Sequence, residues 1–271
     1  VRLLTTLTRP DEGMARVAGI DVAADPDGVR RRIGLAAQDA TVDGLLTARE
    51  NLAMIGDLHH LGRKVARIRA EELLEQFSLE DAADRPVKTY SGGMRRRLDL
   101  AATLVSHPEV LFLDEPTTGL DPRARTELWD VLETLVDTGT TILLTTQYLE
   151  EADRLADDIV VVDHGRVIAR GDAAALKAQV GGSQLFATVE RRDDLSAVAE
   201  LMATITGGAA TIDNDARSVH VATDAGPRAV SQLANELAER SIAVDDIGLR
   251  RPTLDEVFLT LTGQPISEDV A

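Results

Sequence analysis

Short apolar segments alternate with segments of helical periodicity along the first two thirds of the chain. Four of these apolar segments have the length of strands: residues 33–36, 110–113, 140–145 and 159–163. Strands that are apolar on both faces are typical of parallel sheets covered by helices. Because the strands alternate with helices, we predict a mostly parallel α/β sheet, in which residues 140–145 form a buried strand.

Helical periodicity is clearest in residues 47–79. Leu52, Ile55 and Leu58 fall on one helical face of this segment, and a second apolar face follows further along it. Other helices are predicted at residues 92–106, 123–137 and 148–156, and residues 1–8 have the pattern of a helix end.

The pattern changes near Gly181 and Gly182. The predicted elements beyond this point are strand 184–190, helix 194–205, strands 209–213 and 218–223, helix 227–240, strand 242–250 and helix 253–261. The first six of these have the βαββαβ order of a ferredoxin-like α+β domain. We therefore expect two domains, residues 1–180 and 181–271.

Composition narrows the possible functions. The net charge of −17 would repel a phosphate backbone, and aromatic residues are only 3% of the chain, so nucleic acid is not an expected partner. The chain has no cysteine, which excludes disulfides and cysteine-ligated metals. The apolar segments are far shorter than the roughly 20 residues that a transmembrane helix needs.

Two adjacent carboxylates follow the most apolar strand. Asp114 and Glu115 come directly after Leu111-Phe112-Leu113, at the strand end where ligands bind in α/β sheets. Neighbouring carboxylates are unfavourable without a cation, so we expect Mg²⁺ at Asp114 and an attacking water oriented by Glu115. The alternative is a capped strand end followed by a turn.

A serine and two glycines open the predicted helix at residues 92–106. Ser91, Gly92, Gly93 and Met94 would leave backbone N–H groups free for an anion at the helix N-terminus. An ordinary N-cap and flexible turn would show the same residues. Asp121, in Gly-Leu-Asp-Pro, and the glutamines Gln38 and Gln147 are equally ordinary when each is taken alone.

Together, in this order, these residues resemble the nucleotide-binding domain of ABC transporters over residues 1 to about 175. Gln38 corresponds to the Q-loop of that family, and Ser91 to Arg95 resemble the signature motif, with Met94 where Gln is commoner. Asp114 and Glu115 end the Walker B strand. Asp121 belongs to the D-loop, and Gln147 stands at the switch position, where many relatives have His.

The resemblance implies both a fold and a mechanism. The fold is a P-loop NTPase-like sheet with a helical subdomain at about residues 47–106. The ligands are ATP and Mg²⁺, and Mg²⁺ is held by Asp114 and Gln38. Glu115 and Gln147 are the catalytic residues, and Gln38, Ser91, Gly92, Gly93, Met94 and Asp121 are the nucleotide-binding residues.

Two further segments resemble the daunorubicin/doxorubicin-resistance group of exporter ATPases: LLTTQYLEEADRLADDIVVVDHGRVIARG and LRRPTLDEVFLTLTG. The resemblance implies a homodimer at the cytoplasmic face of the membrane that drives a separate integral membrane permease. It also implies export of a hydrophobic, drug-like compound.

The P-loop, G-x-x-x-x-G-K-[ST], does not occur in the 271 residues. The opening residues resemble the segment directly after this motif in ABC proteins, so we expect that the first strand and the P-loop are missing, about 30 or more residues. The P-loop holds the β- and γ-phosphates. The chain as given is therefore expected neither to hydrolyse ATP nor to fold cleanly alone. The alternatives are a degenerate, non-hydrolysing regulatory subunit and a soluble ABC ATPase without a transport role.

Overall fold

The computed structural model describes residues 1–37, 41–180, 183–250 and 252–262. These residues form two compact units, which divide between residues 151 and 152. Within the described ranges, no helix has the length and apolar character needed to cross a membrane. The expected domain boundary near residue 181 stays a prediction.

The first unit contains eleven named elements. They are β1 (Arg16–Val17), β2 (Ile20–Asp21), α1 (Pro26–Arg30), β3 (Ile33–Ala36), α2 (Ala48–Leu58), α3 (Arg63–Gln76), α4 (Gly92–Thr103), β4 (Val110–Asp114), α5 (Pro122–Asp137), β5 (Thr141–Thr145) and α6 (Leu149–Leu155). The last of these, α6, ends beyond the unit boundary.

A parallel sheet of order β3-β4-β5 lies at the centre of this unit. Its middle strand contributes Leu111, Phe112 and Leu113 to the core, each at most 1% exposed. Burial on both faces requires a strand without polar side chains in its interior. The predicted α/β sheet is confirmed, and its register places Asp114 opposite Thr145 at the carboxyl edge.

The strand β5 is less buried than its sequence predicts. Among the described residues it pairs only with β4, and Leu143 is 36% exposed. The expectation of a buried strand at 140–145 is wrong for this structure, because an apolar sequence is buried only where other elements cover it.

The predicted helical segment 47–79 consists of two helices. Thr47 begins α2 with a capping box, in which its hydroxyl accepts from the Glu50 N–H and the Glu50 carboxylate accepts from the Thr47 N–H. Gly62, at φ 77°, precedes α3. The two helices pack against each other through buried residues such as Leu52 and Leu73.

The hydrogen bonds of residues 1–8 agree with the predicted helix end. The segment forms consecutive turns, in which the Thr5 N–H donates to the Val1 carbonyl at 3.0 Å and the Leu7 N–H donates to the Arg2 carbonyl at 2.9 Å. Thr6, at φ 63°, has the left-handed conformation that commonly ends a helix. The short hairpin β1–β2 follows this segment and pairs Val17 with Ile20.

The second unit contains a hairpin and, further along the chain, a four-stranded sheet. Its elements are β6 (Ile159–Asp163), β7 (Arg166–Gly171), α7 (Ala173–Val180), β8 (Gln184–Val189), α8 (Leu195–Thr206), β9 (Ala210–Asp213), β10 (Ser218–Ala222), α9 (Pro227–Glu239), β11 (Val244–Arg250) and α10 (Leu254–Thr262).

The strand predicted at 159–163 is present as β6 but pairs antiparallel with β7, which the sequence pattern did not predict. His164 and Gly165 form the two-residue turn between them, at φ 44° and 75°. Two consecutive positive φ values are typical of the tight turn that joins hairpin strands.

The last sheet has the ferredoxin-like order β11-β8-β10-β9, and all its pairs are antiparallel. One face packs against α8 and α9 through a core of residues that includes Leu185, Val198, Val219 and Leu233, all fully buried. The βαββαβ prediction is thus confirmed for this part of the chain.

Candidate functional site

The carboxyl edge of the parallel sheet carries the two predicted carboxylates. The Thr145 hydroxyl donates a hydrogen bond to Asp114 Oδ1, and the Glu115 N–H donates to the Thr145 carbonyl at 3.0 Å. The end of β5 therefore orients the end of β4.

Glu115 has an unusual backbone conformation. Its φ is 47°, in the left-handed region that costs a non-glycine residue on the order of 1 kcal/mol. Its carboxylate Oε2 accepts a hydrogen bond from the Thr118 hydroxyl at 3.0 Å. The turn after β4 therefore holds both the backbone and the side chain of Glu115.

Arg96, on α4, donates to four carbonyl groups around this edge. Its Nε lies 2.7 Å from the carbonyl oxygen of Pro116, and its Nη1 lies 2.9 Å from that of Ala37. Its Nη2 lies 3.3 Å from the carbonyl oxygens of both Asp114 and Glu115. The guanidinium thus joins the ends of β3 and β4 to α4.

Asp99 lies one turn further along the same helix and is buried. Its Oδ1 accepts hydrogen bonds from the N–H groups of Thr41, at 2.8 Å, and Val42, at 3.3 Å. Ala37 and Thr41 flank residues 38–40 in the sequence, and residues 37–42 are called here the Gln38 segment. Gln38 itself, predicted to bind the nucleotide and Mg²⁺, lies outside the described residues.

Burial shifts the titration of both α4 side chains. Burial lowers the pKa of Arg96, and the carboxylates of Asp99, Glu151 and Asp114 oppose this change. Burial raises the pKa of Asp99, and the N–H groups of Thr41 and Val42 oppose this. Arg96 and Asp99 therefore each have neighbouring groups that favour the charged form of the side chain.

The signature segment, residues 91–95, lies at the beginning of α4 as predicted. The Ser91 Oγ caps the helix by accepting from the Met94 N–H at 3.2 Å. Ser91 and Gly92 are exposed, and a Cβ on Gly92 would meet nothing within 4 Å. The N-cap interpretation is correct for Ser91, and the helix N-terminus is still open to an anion.

The signature segment lies beside the start of α5. A Cβ on Gly93 would stand 3.0 Å from the Ala124 Cβ. Asp121 caps α5 by accepting from the Ala124 N–H at 2.9 Å. Asp121 is therefore the exposed N-cap of the helix whose first turn lies against Gly93.

Gln147 is exposed in the bend that follows β5. Two contacts connect the residues that follow it to α5: the Arg125 guanidinium lies 5.0 Å from the Tyr148 ring centroid, and the Trp129 Nε1–H donates to Glu151 Oε1 at 3.0 Å. The segment that carries Gln147 is therefore anchored to α5.

The carboxyl edge of the sheet fits a magnesium ion whose other ligands are waters and the phosphates of a nucleotide. In the described part of the chain, no group of three His, Cys, Asp or Glu residues could form a metal site alone. Mg²⁺ usually needs only one or two carboxylates, because waters and substrate phosphates complete its octahedron. The carboxylate of Asp114 matches that requirement.

Sequence analysis missed the residues that support the site. Thr145 could have been found, since it ends the strand that neighbours Asp114 in a parallel sheet. Arg96 and Asp99 carry no such signal, because a helix rich in arginine has the pattern of a solvated surface. No sequence position indicated that Trp129 and Glu151 would meet.

The comparisons with known proteins agree with this geometry. The sequence profile described as ABC transporter matches residues 1–118. The chain is 54% identical over 263 residues to the daunorubicin resistance ATP-binding protein DrrA2 of Streptomyces coeruleorubidus, covering 97% of this chain and 82% of that protein. It is 49% identical over 268 residues to the daunorubicin/doxorubicin resistance ATP-binding protein DrrA of Streptomyces peucetius, covering 99% and 81%.

A solved structure has the same fold over much of the chain. It is the ATP-binding cassette MJ0796, in a dimeric post-hydrolysis state bound to ADP and Pi, with a TM-score of 0.56 and 26% identity. The match covers 63% of this chain and 78% of that one.

Proposed function

Since this chain belongs to the ABC transporter family, as a relative of the daunorubicin/doxorubicin-resistance ATP-binding proteins, we propose that it powers an exporter of hydrophobic, drug-like compounds. In this proposal its ATP-binding unit converts ATP hydrolysis into movement of a membrane partner. The substrate class is carried over from the names of the relatives.

The carboxyl edge of the sheet supplies the residues for hydrolysis. Asp114 holds Mg²⁺, directly or through water, with Gln38 as a further ligand. Glu115 accepts a proton from the attacking water, and Gln147 hydrogen-bonds the γ-phosphate. ATP, when bound, supplies the phosphoanhydride bond that is broken.

The signature segment acts across a homodimer. Ser91, Gly92, Gly93 and Met94 of one subunit face the nucleotide of the other, where the backbone N–H groups of Gly92 and Gly93 stabilise phosphate charge. Asp121 lies beside this contact. The dimeric state of the solved relative with ADP and Pi supports this arrangement.

The remaining parts of the proposal concern the membrane. A separate integral membrane permease binds the helical subdomain, which includes α2 and α3, and the subunit is therefore peripheral at the cytoplasmic face. The ferredoxin-like domain, residues 181–271, supports the dimer or regulates it.

One observation carries the proposal: the backbone carbonyls of Asp114 and Glu115, at the carboxyl edge of a parallel sheet, accept hydrogen bonds from Arg96 on the helix that begins at the signature segment. A capped strand end would not need that connection. A catalytic carboxylate needs a defined position.

The test is Mg²⁺-dependent phosphate release from ATP by two proteins. One is the 271-residue chain. The other, called here the P-loop-extended protein, carries an added N-terminal strand, a G-x-x-x-x-G-K-[ST] loop and the start of a helix. We expect activity only in the P-loop-extended protein, and a loss of about 10²-fold or more in its Glu115→Gln variant.

ATP binding should survive the Glu115→Gln substitution, because this carboxylate acts on water and not on the nucleotide. Glu109→Gln, on an exposed residue before β4, is the matched control and should keep full activity. Inactivity of the P-loop-extended protein would instead indicate a regulatory, non-hydrolysing subunit.

A further inference from the structure

The end of β4 leaves carbonyl groups that the sheet does not pair. The Glu115 N–H still donates to the Thr145 carbonyl of β5, but the carbonyls of Asp114, Glu115 and Pro116 need donors from outside the sheet. The Thr118 N–H reaches the Glu115 carbonyl at 3.3 Å. All three accept from Arg96, at 3.3, 3.3 and 2.7 Å. The guanidinium therefore holds the segment in which Glu115 takes its left-handed conformation.

Only arginine provides this set of contacts. Its planar fork offers five N–H groups in fixed directions, whereas lysine has one rotating ammonium group. Arg95 precedes it on the same helix but is exposed, and Arg97 follows it but donates to the Phe77 carbonyl at 3.2 Å. Three successive arginines thus have three different environments.

The helix α4 also holds both flanks of the Gln38 segment. Arg96 donates to the Ala37 carbonyl on one side, and Asp99 accepts from Thr41 and Val42 on the other. Arg96 and Asp99 are three residues apart and therefore lie on the same helical face. At its C-terminal end the helix packs closely on the sheet, since a Cβ on Gly34 of β3 would stand 2.8 Å from the Thr103 carbonyl oxygen.

We propose that Arg96 is a positioning residue for ATP hydrolysis, and that Arg96 and Asp99 together connect the signature segment to Glu115 and the Gln38 segment of the same subunit. This inference rests on the proposed function. In a head-to-tail dimer, the signature segment of one subunit touches the nucleotide bound by the other. A shift of α4 would therefore move Glu115, which acts on the nucleotide bound by its own subunit. In this way the two ATP sites are coupled.

The kinetic test uses Arg96→Met in the P-loop-extended protein. Methionine fills a similar apolar volume but donates to no carbonyl. We expect kcat to fall by about 10- to 100-fold through misplacement of Glu115. KM for ATP should change less than about threefold, because Arg96 contacts no phosphate in this proposal. The Hill coefficient for ATP should fall towards 1.

Two other variants separate positioning from general damage. Arg67→Met removes an exposed arginine of α3, outside the nucleotide site, and should leave kcat, KM and the Hill coefficient unchanged. Arg96→Lys keeps the charge but not the fork, and should recover only part of kcat. Thermal unfolding of each variant shows whether it is folded.

Amide hydrogen exchange without nucleotide gives a readout that does not depend on activity. In Arg96→Met, the Glu115 amide should exchange at least about tenfold faster, because the carbonyls around it lose their donors. Asp99→Ala should have the same effect on the amides of Thr41 and Val42. Amides inside α2 should not change in either variant.

Both the kinetic and the exchange measurements have outcomes that would contradict the role of Arg96. Unchanged kcat in Arg96→Met, or reduced kcat with unchanged exchange at Glu115, would overturn it, as would an equal loss in Arg67→Met. If the unsubstituted P-loop-extended protein hydrolyses no ATP, the proposed function fails. The exchange data would then still decide whether Arg96 and Asp99 hold these two segments.

Discussion

At the scale of single residues, the site depends on backbone conformations that the side chains alone do not predict. Glu115 has a left-handed backbone, with φ at 47°, and hydrogen bonds from Thr118 and to Thr145 hold it there. Strain at a catalytic position persists only where surrounding contacts determine the conformation. We infer that the conformation of Glu115 serves its position and reduces stability.

Replacing Glu115 by Gly and by Ala tests this strain. Both variants lose the same carboxylate, but only Gly adopts a positive φ without cost. We expect Glu115→Gly to be about 0.5–1 kcal/mol more stable than Glu115→Ala in urea denaturation. The same pair at Thr141, an exposed strand residue, should show the opposite order, and a matching order at both positions would refute the strain.

At the scale of elements, α5 and α6 are joined by a buried polar contact. Glu151 is fully buried, and its Oε1 accepts from the Trp129 Nε1–H at 3.0 Å, while its Oε2 has no hydrogen-bond partner among the described residues. A buried carboxylate with one donor is expensive to disturb, because the protein interior screens charge poorly. The contact therefore restricts how α6, which follows Gln147, can lie against α5.

A double-mutant cycle measures this contact. Trp129→Phe leaves the carboxylate without its indole donor, and we expect a loss of roughly 3 kcal/mol. The double variant Trp129→Phe/Glu151→Met should lose less than the sum, with a coupling of at least about 1 kcal/mol.

The control cycle uses Arg123 and Glu127, an exposed pair at 3.0 Å on α5. Its coupling should stay near 0.3–0.5 kcal/mol, roughly the usual value for such pairs. Equal couplings in the two cycles would contradict a special role for the Trp129–Glu151 contact.

At the scale of the whole molecule, the net charge of −17 is the dominant electrostatic property. A charge of this size opposes compaction through self-repulsion and favours solubility. Most ion pairs of the described residues are exposed at one or both partners, as at Arg170–Asp158 and Arg123–Glu127, so they offset little of the repulsion.

Salt should therefore stabilise the protein. Raising the ionic strength from about 0.01 to 0.15 M shortens the screening length from about 30 to 8 Å, and we expect the thermal midpoint to rise. The triple variant Glu12→Lys/Asp57→Lys/Asp224→Lys replaces three exposed carboxylates by ammonium groups. Its net charge is −11 in place of −17. This variant should respond less to salt, and an equal response would show that net charge is not the cause.

Local sequence is enough to specify the type and order of most elements. Apolar strands and amphipathic helices are local patterns with periods of 2 and 3.6 residues, so the parallel strands and the βαββαβ order could be predicted from them. Local capping also follows from sequence, as at Ser91 and Asp121. The hairpin of β6 with β7 was missed, since pairing direction is not a local property.

The assembly of these elements into a site depends instead on tertiary packing. Arg96 reaches the ends of β3 and β4 although Ala37 lies 59 residues away along the chain, and Trp129 meets Glu151 across 22 residues. Such contacts join distant segments, and the sequence near each residue carries no record of them. The exposure of β5 has the same origin, because burial depends on which other elements are present to cover a strand.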